Sequence, residues 1–380
     1  MILKPDCAHF PGDRPCKFNK LEGRVCDNCG DYSPVSGDRP ANSIIIIKLD
    51  ALGDVLRTTA ILPAIKRSLP KSHITWITKR NAVPVFNNID LVDQVIAFED
   101  TAEVVRVSAL YYDILIHPDA SPQSAPLASM INAFQKYGFV TDLAGKVIPA
   151  NPQAEEWFEM GAFDHLKKVN TKTYQQIIHE IANLHYEKGE IQVKLTPEEL
   201  DFRDNFIKTH GLSGKKFILG INVGASGRWQ LKQWRMEGFV ELISILYQVV
   251  PDIQILLYGG KEEEERINEL TARFPRLIST GTNNNLRQFF ALMDIPRVVI
   301  SGDTMALHAA TALQKRVICL FGPTSYHEIE DYGRITKIYP KMDCLVCYKP
   351  ACDFKPNCMD LISTQMVLDE VLSAFDLGIA

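Results

Sequence analysis

No stretch of this 380-residue chain approaches the roughly 18–20 consecutive apolar residues that a membrane-spanning helix needs. The amino terminus lacks the pattern of a secretory leader: Lys4 is followed by Pro5, Asp6 and Cys7, not by an apolar core. Positive charge is not in excess either. Lys and Arg number 41 against 46 Asp and Glu, a net charge of −5, which argues against broad nucleic-acid binding and leaves room only for a local basic patch. The expectation is a cytoplasmic protein with no nucleic-acid partner. Were its substrate a lipid, it would meet the inner face of the cytoplasmic membrane peripherally.

The first 41 residues lack apolar periodicity and contain many Pro, Gly, Asp and Cys. A segment of that kind needs something other than a core to hold it. Cys7, Cys16, Cys26 and Cys29 supply four thiols there, with His9 able to replace one. In a reducing compartment such a quartet reads as a structural zinc site before a set of disulfides, and an iron–sulfur cluster uses the same ligands. A second quartet, Cys344, Cys347, Cys352 and Cys358, has similar metal-ligand spacing. Its alternative is free or redox-paired thiols near a cleft. Cys319 stands apart in an apolar run.

Between the two quartets the chain alternates. Ile44–Ile47, His73–Thr78, Val95–Phe98 and Ile114–His117 read as buried strands with helical stretches between them. Ala154–Tyr186 reads as helical, and Ile191–Leu195 as a further strand. A second alternating unit follows: strands at Phe217–Val223, Ile253–Tyr258, Leu277–Ser279, Val298–Ser301 and Val317–Phe321, helices at Met236–Val249, Glu262–Arg273, Leu286–Met293 and Thr304–Leu313. A last helix, Ser363–Phe375, has either half to pack on. This predicts an α/β chain of two Rossmann-like domains facing a cleft. The expected divisions are 1–41, 42–195 and 196–380, the last carrying the cysteine-rich tail.

Five loops carry polar residues to where parallel sheets bind ligands, outside the carboxyl ends of strands. In Leu52-Gly53-Asp54, Gly53 admits a close approach, and Asp54 either acts as a base or caps the helix. In Ser301-Gly-Asp303-Thr304-Met305, the helix start at Thr304 and Met305 is a ready phosphate site. Asp303 either orients those N–H groups or contacts a sugar hydroxyl. His308 either faces the same pocket or is a satisfied core residue. The turn Phe321-Gly322-Pro-Thr324 can close over a ligand. In the stretch from Asn222 through Gly224 to Trp234, small residues leave space, Arg228 and Lys232 offer charge for a diphosphate, and Trp229 or Trp234 either stacks on a ring or anchors the loop. In Tyr258-Gly-Gly-Lys-Glu-Glu-Glu-Glu, the acids either make an exposed helix start favoured by the dipole or offer one carboxylate to a ribose.

Taken in chain order, these blocks resemble glycosyltransferase family 9, the heptosyltransferases of lipopolysaccharide core synthesis. The match runs from about residue 43 to 375 and includes the late cysteine stretch. The resemblance implies a GT-B fold and an inverting transfer of heptose from an ADP-sugar to a lipid-linked saccharide, without a catalytic metal. It implies Asp54 as general base, Lys232 as phosphate contact, Asp303 and Thr304 at the donor sugar and phosphate, and Glu263 at the ribose. Two positions depart from the family: Met305 stands where Gly is usual, and Ala60 where Pro is usual. The alternatives are a nucleotide-sugar epimerase of similar fold, and a degenerate binding protein recruited through its cysteine module.

Overall fold

The computed structural model describes residues 2–34, 42–225 and 227–377, with only the backbone of 227–229. Two six-stranded sheets carry the fold. The first comprises β1 (Ser43–Ile47), β2 (His73–Thr78), β3 (Gln94–Ala97), β4 (Tyr111–His117), β5 (Asn132–Thr141) and β6 (Val147–Pro149). Their order is β3-β2-β1-β4-β5-β6, parallel except for the β5–β6 hairpin. The second comprises β7 (Ile218–Asn222), β8 (Gln254–Tyr258), β9 (Ile278–Ser279), β10 (Val298–Gly302), β11 (Arg316–Leu320) and β12 (Ile335–Ile338). It runs β12-β11-β10-β7-β8-β9, all parallel.

The central strands form because they suit burial on both faces. β1 is Ser-Ile-Ile-Ile-Ile, and all five residues are buried. The strand order reverses direction beside β1 in the first sheet and beside β7 and β10 in the second. Those are the switch points where crevices open outside the strand ends. One apolar cluster runs from Ile44, Val55 and Ile116 on the first sheet's side to Val299, Leu307 and Val317 on the second's. The two sheets therefore share a core.

The last helix, Thr364–Ala374, docks on the second half, where Val367, Leu368 and Val371 join its outer core. The expected strand at 191–195 is absent. That segment crosses between the halves, and its backbone bonds to side chains instead of a ladder: Gln192 N–H donates to Thr59 Oγ1 and Arg287 donates to Lys194 O. β5, β6 and β12 were not expected. Residues 2–34 hold one short helix, Lys17–Glu22, and a single 3₁₀ turn, Cys26–Asn28, with no residue fully buried.

Candidate functional site

β1 ends at Ile47, and the chain turns through Lys48–Ala51 into the helix Leu52–Thr58. Lys48 is buried, pairs with Asp119 and donates to Asp50 O at 2.6 Å. Asp54 stands in the helix's first turn. Its Oδ2 accepts the Ala51 N–H at 3.2 Å, and its Oδ1 pairs with Arg57 Nη2 at 2.9 Å. The residue thus caps the helix and lines the cleft at once. Burial would raise its carboxyl, but Arg57, Lys48 and His308 outweigh that and hold it below the usual range. The Arg57 guanidinium lies 3.6 Å over the Tyr174 ring, and Tyr174 Oη meets Thr58 Oγ1 at 2.8 Å.

The facing wall starts at β10. Thr304 caps the helix Met305–Ala312, its Oγ1 accepting from Ala306 N–H at 3.2 Å. Lys232 Nζ donates to Asp303 Oδ2 at 2.8 Å and to Asp303 O at 3.1 Å. Burial opposes ionisation of Asp303, but the ammonium beside it prevails and drives its carboxyl far below the ordinary value. His308 is buried, and burial together with Arg57 pushes its pKa down to about 4, so the ring is neutral near pH 7.

The two helix starts meet directly. A Cβ added to Gly53 would stand 3.0 Å from His308 Cδ2 and 3.7 Å from Met305 Cα. Glycine there is what lets the halves close to this distance. Asp54, Arg57, Lys232, Asp303, Thr304, Met305 and His308 all line one cavity of about 730 Å³.

The remaining expected residues fall as follows. Gly224 and Glu263 line the same cavity. Of four successive glutamates only Glu263 is buried; its Oε2 accepts the Gly260 N–H at 2.8 Å. A Cβ on Gly224 would overlap the Glu263 carboxyl, so the glycine makes room for it. Thr324 lines the cavity. Gly322 does not: it sits behind that wall, against Cys358 and Met359. Trp234 is core, donating to Ile362 O at 3.0 Å, and so anchors the tail instead of stacking on a ligand. The Arg228 and Trp229 side chains lie outside the described residues.

Residues not singled out from sequence also line the cavity: Arg57, Thr280, Asn284, Phe289, Ser325, Glu328 and Tyr348. Arg57 follows Asp54 by three residues, on the same face of its helix, and was the one with a signal. Glu328 and Tyr348 come from irregular segments without a motif.

Cys7, Cys16, Cys26 and Cys29 line one cavity of about 270 Å³ with His9. In the late quartet, burial raises Cys358 to about 11, and Cys347, Cys352 and Cys344 add to the shift, so the four are neighbours. Among the described residues, however, no group of three His, Cys, Asp or Glu side chains is arranged to hold a metal ion. The quartets gather as expected, but their thiols do not present a ligand set. No helix among the described residues is long and apolar enough to cross a membrane.

The pattern of glycosyltransferase family 9 (heptosyltransferase) matches residues 105–357, more than half of the chain. Lipooligosaccharide heptosyltransferase 2 of Campylobacter jejuni is 26% identical over 186 residues, which span 46% of this chain and 55% of that protein. The Haemophilus influenzae lipopolysaccharide core heptosyltransferase OpsX is 23% identical over 297 residues, 75% of this chain and 79% of that one. The structure of ADP-heptose lps heptosyltransferase II of E. coli superposes with a TM-score of 0.62 at 17% identity, covering 88% of this chain and 98% of that chain. The shared fold is GT-B.

Proposed function

Because the chain belongs to glycosyltransferase family 9, we propose that it moves a heptose, with inversion, from an ADP-sugar to a saccharide acceptor of the lipopolysaccharide core. One observation carries this: the Asp54 carboxylate and the Asp303–Thr304 helix start, distant in sequence, share one cavity.

Inverting transfer needs a base at the acceptor hydroxyl. Asp54 takes that proton as the hydroxyl oxygen attacks the anomeric carbon and the bond to the diphosphate breaks. Arg57 and the Ala51 N–H hold the carboxylate ionised and fixed in aim. Negative charge then grows on the leaving ADP. Lys232 and the amides at Thr304 and Met305 stabilise it. Asp303, held by Lys232, faces the donor sugar, and Glu263 the ribose. Phe289 and Leu286 give the adenine ring an apolar surface. Closure of the halves excludes water, favouring transfer over hydrolysis.

In this scheme residues 42–195 form the acceptor domain and 196–380 the donor domain. Residues 1–41 form a separate cysteine module. The protein works as a peripheral, cytoplasmic enzyme at the inner membrane face, where such an acceptor is met. A structural zinc or iron–sulfur centre at either quartet requires the thiols to draw together from the positions described. Elemental analysis of anaerobically purified protein decides it, a folded metal-free chain counting against it.

The test of function is Asp54→Asn with ADP-heptose and a heptose-free core lipid. Turnover is expected to vanish while ADP affinity stays nearly intact. Wild-type rates in that variant would remove Asp54 from the chemistry. An epimerase would convert the nucleotide-sugar without acceptor, and no such conversion is expected.

A further inference from the structure

The wall of the cavity next to Asp54 has a chemistry that the nucleotide does not use. After β11 the chain turns through Gly322-Pro323 to Thr324 and Ser325. These two are only 4% and 2% exposed, both line the cavity, and neither hydroxyl has a hydrogen-bond partner among the described residues. Buried hydroxyls in folded proteins are normally paired. Three residues on, Glu328 is 8% exposed and lines the same space. Its Oε1 accepts from Tyr348 Oη at 3.0 Å, and its other oxygen makes no hydrogen bond among the described residues. Arg57 Nε, also buried, is unpaired as well.

Tyr348 is brought here by the cysteine-rich loop. Its Oη accepts the Ser325 N–H at 3.2 Å while donating to Glu328, and its own N–H donates to Pro323 O at 2.9 Å. Val346 N–H donates to Gly322 O at 3.4 Å, and Cys358 packs on Gly322 from behind. Val346 and Tyr348 both hold positive φ, 59° and 52°. A β-branched and an aromatic residue adopt that conformation only where the surroundings impose it. The loop 344–358 is thus built onto the turn it faces, and it delivers one phenol to the cleft.

We propose that Thr324, Ser325, Glu328 and Arg57 form a subsite for the hydroxyls of a sugar ring, with Tyr348 as the positioning residue that the cysteine-rich loop supplies. A carboxylate acceptor, two hydroxyls and a guanidinium edge within one wall match a polyol. They do not match a phosphate, which Glu328 would repel. Arg57, which lines this wall, is already paired with Asp54. A ring held on this wall lies beside the base. The inference rests on the glycosyl-transfer function proposed above, and the ring is that of either the donor or the acceptor.

The test uses full-length Glu328→Gln, Ser325→Ala and Tyr348→Phe. KM for ADP-heptose and for a heptose-free core lipid is measured, with ADP affinity by calorimetry and the thermal midpoint to confirm folding. Glu328→Gln is expected to raise one sugar KM about tenfold, the scale of a lost hydrogen bond to a charged group, with ADP affinity within twofold of wild type. A rise for ADP-heptose assigns the donor ring, and a rise for the core lipid assigns the acceptor. Tyr348→Phe should shift the same KM in the same direction by less, leaving kcat nearly unchanged. Wild-type KM values for both substrates, or an equal loss of ADP affinity, would overturn the subsite. A wild-type chain that turns over neither substrate would instead refute heptosyl transfer itself.

Discussion

At the scale of the residue, the cleft is a set of charges that hold one another. Asp303 owes its low pKa to Lys232, not to exposure. Its contribution to stability is complete above the unfolded carboxyl value of about 3.9 and disappears as pH falls through its lower folded value. The melting temperature is therefore expected to fall steeply below about pH 4. In Asp303→Asn the wild-type advantage should vanish at that acid end, and midpoints followed across pH 2–7 check it. His308, neutral already, should add no step between pH 5 and 8 to the rate profile. Gly224 makes a second point of contact measurable. In Gly224→Ala the new methyl displaces the Glu263 carboxyl, so ADP affinity should fall about tenfold or more, and shortening the acid in Gly224→Ala/Glu263→Ala should recover part of that loss. Calorimetric ADP titrations of the two variants measure both effects. Asp54 and Thr304 were legible because glycine-flanked strand ends announce themselves, whereas Glu263 was singled out from its run of acids only through the family resemblance. Glu328 and Tyr348 were not, because what places them is a fold of loops with no period or spacing to read.

At the scale of the element, the legible strands were those buried on both faces, whose β-branched runs need no context. β5 escaped because Asn132, Gln135 and Lys136 interrupt any apolar run, and its outer partner is only the short β6. β12, Ile-Thr-Lys-Ile at a sheet edge, is too short and mixed to stand out. The error at 191–195 has the opposite cause. Alternating Ile191, Val193 and Leu195 pack as a strand would, but the backbone has no neighbouring strand to pair with. That crossing is tied by Arg287, whose guanidinium makes two bonds to Glu199, at 2.7 and 2.6 Å, and reaches Lys194 O and Pro84 O. Both members of the pair are largely buried. Removing one leaves a buried charge alone, which costs about 3–5 kcal/mol. Arg287→Met is expected to lose that much in urea unfolding. Arg287→Met/Glu199→Leu should regain most of it, since the stranded carboxylate is gone.

At the scale of the molecule, the two sheets are not independent bodies joined by a linker. Their facing sides contribute to one apolar cluster. The backbone crosses between them with bonds such as Tyr174 N–H to Glu328 O at 2.9 Å, and Tyr332 Oη donates to Gly189 O at 2.8 Å. Melting one half would expose the apolar face of the other, so the halves should unfold together. Residues 2–34 are the contrast. They bury no side chain fully, and among the described residues no hydrogen bond joins them to the body. Differential scanning calorimetry should accordingly show one endotherm for the body, with calorimetric and van't Hoff enthalpies equal. Deleting residues 1–41 should move that midpoint by less than about 1 °C, under the shift of about 1.4 °C that losing 1 kcal/mol of packing would cause in a single cooperative body of this size. Two resolved endotherms in the truncated chain would mean that the shared cluster does not couple the halves. A large drop in the midpoint would mean that the module braces the body through contacts beyond those described.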